Sequence, residues 1–376
     1  MAVLCRLADP AHYTVSTWNL ADDPDTLRYW LELFASFPER FDALLARDVS
    51  ADPDAARRWG AFVDAYRAGV AGFAAGASRD GRLYTIELCR FRQKMLHAYG
   101  FADPYHAVKA HENNVAADLY PAVVARIDAA PAGQRWELLF SAVLAGNMFD
   151  LGCPETIAMY HDGQLDFLST CRAAPQRPWF VDDADALIER LAGGRAWRRT
   201  LFFVDNAGAD IVLGVVPLAR EMARAGIRVT LAANSAPALN DITIGELNPL
   251  LDRLSACDPV LRQQRSEGLL DTVDSGGDTP LIDLSRVSDA CNAVAADSDL
   301  IILEGMGRGV ESNWTERFTC DVWRFALLKD RTVVRWLGAR PFDAVCRFDP
   351  IDTPARTAPG RGTAFQVDGT ASPPQA

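Results

Sequence analysis

The sequence predicts an α/β protein: a doubly wound, mainly parallel sheet preceded by an N-terminal α-helical domain. Three observations carry that expectation. From about residue 198, short apolar runs alternate with amphipathic stretches at the spacing of strand–helix units. Before that point, apolar residues recur at three- and four-residue intervals, the helical period. Finally, the apolar runs of the second half stop abruptly in Asp, Asn, Glu and Gly, the residue types that close a strand and open a helix.

The helical half begins with "DPDTLRYWLELFASFPERFDALLARDV", where Leu27, Trp30, Leu31, Leu33 and Phe34 recur at mixed three- and four-residue spacing and Asp22 or Asp23 supplies a cap. "DAARRWGAFVDAYRAGVAGFAAGA", "RLYTIELCRFRQKMLHAYGF" and "QRWELLFSAVLAGNMFD" repeat the pattern. In the second half "TLFFVDN", "RVTLAANS", "LLDTVDSG", "DLIILEGMG" and "FDAVCRF" read as strands. "DIVLGVVPLAREMARAG", "LSRVSDACNAVAAD" and "CDVWRFALLKDRTVVRWLG" read as the main helices between them. These readings give a helical domain over 1–180, an α/β domain over 181–352 and a Pro/Gly/Thr/Ala-rich tail over 353–376, which is expected to be disordered. No internal repeat is present.

Composition narrows the function classes. A net charge of −12 with no concentrated basic face argues against a nucleic-acid partner. The eight cysteines are scattered without paired spacing, and no segment reads as a secretory leader or membrane span, so a reduced, cytoplasmic protein is expected. Oligomeric state is left open.

The strand ends concentrate the chemistry. In open parallel sheets, ligands sit outside the carboxyl ends of the strands. "LFFVDN" delivers Asp205 and Asn206 there, with Gly208 opening the next helix. The following unit delivers Asn240 and Asp241, 36 residues after Asp205, so both aspartates are expected at one edge on neighbouring strands. Capping alone would account for either aspartate; two coordinated strand ends favour a site for a hard divalent ion such as Mg²⁺ or Mn²⁺. "LIILEGMGRGVESN" adds Glu304, Gly305, Gly307 and Arg308, with glycine amides and an arginine fork suited to a phosphate. Asn147 and Asp150 close a helix in "AGNMFD", either as a cap or facing the cleft.

Other chemistries lack their residues. All five histidines precede residue 162, which disfavours a zinc site or a Ser-His-Asp triad in the α/β half. There is no GxSxG and no GxxxxGK[ST], and a dinucleotide fingerprint fails because Val310 stands where glycine is required. Phosphoryl hydrolysis with an oxygen-ligated metal fits best.

At these residues a resemblance enters. "FFVDNAGADIVLGVVPLARE", "ANSAPALNDIT" and "LIILEGMGRGVESN" resemble the damage-control phosphatase family of metal-dependent phosphatases, and within it subfamily II. The likeness extends through "CRFRQKMLHAYGFADPYHAVKAHENNVA" and "LAGNMFDLG", nearly the whole chain except the tail. It implies a metal held by Asp205, Asn206 and Asp241, an EGMGR signature on Glu304 to Arg308, and a phosphate-contacting lysine at Lys329. It implies a divalent cofactor (Mn, Co, Ni or Mg) and a small phosphate ester as the molecule bound, phosphopantetheine or its oxidised forms first and sugar phosphates second. A catalytically silent metal- or metabolite-binding regulator is the alternative of another class. Where family members carry Leu-Lys shortly before the lysine, this chain has Trp323-Arg324, a departure that bears on the leaving-group pocket.

Overall fold

The computed structural model describes residues 1–39, 53–148, 175–193 and 197–351. The described helices before the sheet are α1 (Pro24–Ala35), α2 (Pro53–Asp80), α3 (Thr85–Ala98), α4 (His106–Ala129) and α5 (Ala132–Asn147). Asp23 caps α1, accepting from the Asp25 amide, and Pro24 takes the first helical position, where its missing N–H costs nothing. Aromatic residues of α2 and α3 stack: Phe62 on Tyr66 at 5.2 Å and Tyr66 on Phe91 at 5.6 Å between ring centroids.

Seven strands follow: β1 (Val181–Asp182), β2 (Arg199–Phe203), β3 (Arg228–Ala233), β4 (Leu270–Asp274), β5 (Leu300–Glu304), β6 (Asp321–Leu327) and β7 (Ala344–Asp349). They form one sheet in the order β1-β7-β6-β5-β2-β3-β4. Every neighbouring pair is parallel except β6 and β7. The chain winds outward from β2 to β4, then returns to place β5 on the other side of β2. The β2–β5 boundary is therefore the point where strand order reverses, the usual place for a ligand crevice.

Both sheet faces are buried, as parallel strands covered by helices require. Phe202, Val204, Ile302, Trp323 and Phe325 face a core shared with Tyr120 of α4 and Phe140 of α5. Leu201, Phe203, Ile301, Leu303 and Val322 face the opposite core, which includes Leu4 and Leu7 from the chain's start. Each fully buried Leu, Ile or Phe contributes roughly 1.5–3 kcal/mol. The first residues are stitched across the second core: Leu4 donates its amide to the Leu284 carbonyl at 2.8 Å, and Leu7 bridges Phe318.

One expected element is corrected. "CDVWRFALLKDRTVVRWLG" is not a single helix: its first part is β6, buried throughout, and only Arg331–Leu337 is helical. A continuous apolar run has no period to separate a doubly buried strand from a buried helix. The helices Ile244–Cys257 and Pro259–Ser266, on the β3–β4 connection, also went unforeseen. Among the described residues no helix is long and apolar enough to cross a membrane.

After β2 the chain forms a π-helical turn, Asp210–Val215, that runs into the helix Val216–Arg224. It crosses α5 at backbone contact. A Cβ on Gly146 would lie 2.8 Å from the Asp210 Cα, and one on Gly214 would lie 3.0 Å from the Val143 Cα. Gly146→Ala should therefore destabilise the protein by about 1–3 kcal/mol through overpacking, read as a lowered midpoint in urea. A midpoint matching the parent's would mean that the crossing is not tight.

Candidate functional site

The carboxyl ends of β2, β3, β5 and β6 supply the polar side chains. Beyond β2, the loop at Asp205 pairs with the loop at Asp241: the Ile242 amide donates to the Asp205 carbonyl at 3.0 Å, and the Ala207 amide to the Asn240 carbonyl at 2.9 Å. This pairing sets Asp205, Asn206 and Asp241 side by side at one edge. At the end of β3, Asn234 donates to Asp241 at 3.0 Å and fixes its carboxylate. At the end of β5, Glu304 accepts the Asp205 amide at 2.7 Å.

Around Asp205 the carboxylates gather. One oxygen each from Asp205, Asp210 and Glu304 lies within 4.8 Å of the others, and all three residues are buried. The Asn147 amide, projecting from the end of α5, donates to Asp205 at 3.3 Å, Asp210 at 3.1 Å and Glu304 at 3.1 Å. Asn206 donates to Asp205 at 3.1 Å and to Asp210 at 2.8 Å. Lys329, just past β6, donates its Nζ to the Asn147 carbonyl at 2.9 Å. Arg308 spans the two aspartates, with Nη1 on Asp205 and Nη2 on Asp241 at 2.6 Å.

Two buried oxygens here have no hydrogen-bond donor, Asn147 Oδ1 and Asp210 Oδ1. Undonated oxygen acceptors in a buried carboxylate cluster are what a hard divalent cation satisfies. The residues present therefore fit a metal ion of that class. A second acidic group, Asp103 and Glu246 beside His106, already holds the buried Lys109 ammonium at 3.1 and 2.9 Å.

The structure brings Asp205, Asn206, Asp241, Glu304, Arg308, Asn147 and Lys329 to one strand edge, but the carboxylate trio gathered there is Asp205, Asp210 and Glu304, while Asp241, expected as a metal ligand, meets Arg308 and Asn234. The expected glycine amides are corrected. Gly208 gives its amide to Asn113 Oδ1 at 2.7 Å, and Gly305 gives its own to the Phe325 carbonyl at 2.9 Å, so neither amide serves a phosphate. Gly305, at φ 96°, is there for close approach: a Cβ would strike the Asp205 carboxylate. Gly307 packs on the Pro280 carbonyl in the same way. Arg308 directs its fork at carboxylates and not outward to a phosphate. The Trp323-Arg324 departure lies inside the sheet, with Trp323 edge-on to Phe140 at 4.9 Å and Arg324 on Asp349 at 2.5 Å, so it alters the core and not a leaving-group pocket. Asp150 lies outside the described residues.

Sequence reasoning missed Asp210. Its signal was a lone carboxylate in the buried run "GADIVLGVV", five residues after Asp205. Asn113 and Asn234 were also missed, and nothing in their spacing marks them.

Comparison with known proteins decides the family. A family model described as the damage-control phosphatase ARMT1-like domain matches residues 37–345. The chain belongs to the damage-control phosphatase family. Damage-control phosphatase At2g17340 of Arabidopsis thaliana is 37% identical over 86% of this chain and 88% of its own length. Pantothenate kinase 2 of the same plant is 34% identical, covering 93% of this chain and 42% of that one. The 4′-phosphopantetheine phosphatase of Mus musculus is 29% identical, covering 91% of this chain and 48% of that one. This chain therefore spans less than half of the two longer relatives. A DUF89-family protein of Pyrococcus horikoshii superimposes with a TM-score of 0.58 over 86% of this chain and 97% of that one, at 16% identity, and shares the fold.

Burial raises the Asp210 carboxyl to about 6, against the lowering effects of hydrogen bonds from Asn206 and Asn147 and of the Lys329 charge. The unfolded carboxyl titrates near 3.8, so between these values the native state binds the proton more tightly. Asp210 thus stabilises the metal-free fold in acid, and this contribution is lost as pH rises through about 6. In Asp210→Asn that slope should disappear, leaving the metal-free variant more stable than the parent at pH 7.5 by on the order of 2 kcal/mol. Urea denaturation at pH 4.5 and 7.5 in chelator measures it, and parallel pH profiles would exclude Asp210 as the titrating group.

Proposed function

We propose that this protein is a metal-dependent phosphatase hydrolysing a small phosphomonoester, with 4′-phosphopantetheine or its oxidised and damaged derivatives as the substrate class. One observation carries the reading: the buried convergence of Asp205, Asp210 and Glu304 with undonated oxygens at the point where strand order reverses. The name of the mouse relative supports the substrate class, and that of the plant relative the phosphatase chemistry.

Asp205, Asp210 and Glu304 would hold the cation, with Asn206 and Asp241 beside them. A bound Mg, Mn, Co or Ni ion would supply Lewis acidity toward a phosphoryl oxygen. The chain's own groups do the rest. Glu304 fixes Asp205 through its backbone amide, and Arg308 holds the Asp205 and Asp241 carboxylates at a set separation. Lys329, anchored on the Asn147 carbonyl, offsets negative charge developing on the phosphoryl group. The described helices α3, α4 and α5 would form the opposite wall of the cleft.

The test is a panel of 4′-phosphopantetheine, its sulfonate, sugar phosphates and nucleotides with Mg²⁺, Mn²⁺, Co²⁺ and Ni²⁺. Activity should vanish in EDTA and return with a divalent ion, and sugar phosphates should be turned over more slowly than phosphopantetheine. Asp205→Asn should lower kcat/KM at least about a hundredfold, the scale of losing one key electrostatic contact. Lys329→Ala should chiefly raise KM, with metal affinity nearly intact. Tight Mn²⁺ binding without turnover of any ester would replace the enzyme reading with a regulatory one.

A further inference from the structure

Among the described residues, most buried cations face a carboxylate. Arg220 lies between Asp128 and Asp258, Arg324 meets Asp349, and Lys109 meets Asp103 and Glu246. Arg92 on α3 does not. It is 6% exposed, and its Nε and Nη2 are buried with no hydrogen-bond partner. Its guanidinium carbon lies 5.1 Å from the Phe34 ring centroid and 5.3 Å from that of Phe37. Ring faces attract the cation but accept none of the N–H groups in the guanidinium plane.

Helix α3 is tied to the loops that carry the strand-end site. Gln93 donates to the Pro237 carbonyl, in the loop leading to Asn240 and Asp241. Arg90 pairs with Asp283 at 2.5 Å, just past Pro280, whose carbonyl Arg308 also reaches at 3.3 Å. Cys89, one turn before Arg92, is pushed up to about 12 by burial, with Arg92 lowering it and Glu311 and Asp241 raising it. Leu239, which precedes Asn240, and Leu281, which follows Pro280, pack with Phe34, Phe37 and Cys89 in one apolar cluster, so the Arg92 surroundings adjoin both site loops.

The charge balance calls for such a group. Asp205, Asp210, Asp241 and Glu304 stand against Arg308 and Lys329, and both of these cations are engaged within the site. A divalent ion would neutralise the protein's share but not the two charges of a phosphate dianion. We infer that Arg92 is an oxyanion-binding residue of this site, taking phosphoryl oxygens of the ligand from the side of the helical segment through donors that no protein group uses. The identity of the ester rests on the phosphatase reading above; the anion subsite does not.

Calorimetric titration of the full chain with inorganic phosphate, in the presence of Mn²⁺, tests it without requiring turnover. Arg92→Met should raise the phosphate Kd at least tenfold, and Arg92→Lys by less. The thermal midpoint of phosphate-free Arg92→Met should match or exceed the parent's, because a buried charge without a partner has been removed. A lowered midpoint with unchanged phosphate affinity overturns the inference and makes Arg92 a packing residue. So does an absence of phosphate binding in the parent. Unchanged affinity in a chain that still hydrolyses phosphopantetheine removes the subsite and leaves the phosphatase; Arg92-dependent phosphate binding in a chain that hydrolyses no ester does the reverse.

Discussion

Four carboxylates, those of Asp205, Asp210, Asp241 and Glu304, are buried together, and the architecture around them is arranged to make that tolerable. Two like charges about 4 Å apart repel by roughly 4 kcal/mol at an effective dielectric near 20. The chain answers with Arg308 between two of them, Lys329 behind a third, and the amides of Asn147 and Asn206 across the rest. The compensation is incomplete. Asp210 has its carboxyl raised to about 6, and one of its oxygens receives no donor. A cluster left short of positive charge is poised to take up a cation, and the fold spends local stability to keep it so.

Sheet topology brings these groups together, and glycine brings them close. The β2–β5 reversal sets Asp205 beside Glu304, while Gly305 lets the Asp205 carboxylate lie against the backbone that follows β5. Gly146 and Gly214 let α5 meet the π-helical turn at backbone distance, so Asn147 and Asp210 arrive in the same small volume. The glycines of the site thus act by absence of volume.

Much of this was legible in the sequence. Abrupt polar endings of apolar runs located Asp205, Asp241 and Glu304, and the strand–helix alternation placed them at one edge of a mainly parallel sheet. Three things were hidden, each for a physical reason. β6 has no alternation because both its faces are buried, so it read as a helix. Asp210 sits in a run that looks like core, since two of its partners, Asn147 and Lys329, come from distant segments. The amides of Gly208 and Gly305 looked available to a phosphate because sequence does not reveal that Asn113 and the Phe325 carbonyl take them first.

The stitching of the chain's first residues onto its second half carries a consequence for synthesis. Leu4 and Leu7 complete a core whose other members include Leu284, Ile301 and Phe318. A nascent chain leaving the ribosome has made these two leucines long before their partners exist. Until then that segment must wait, and the second core can close only after Phe318 has cleared the exit tunnel. Such long-range closure is slow and leaves apolar surface exposed meanwhile. The fold is therefore one whose late contacts join segments made far apart in time, so Leu4 and Leu7 would lean on holding factors until their partners emerge.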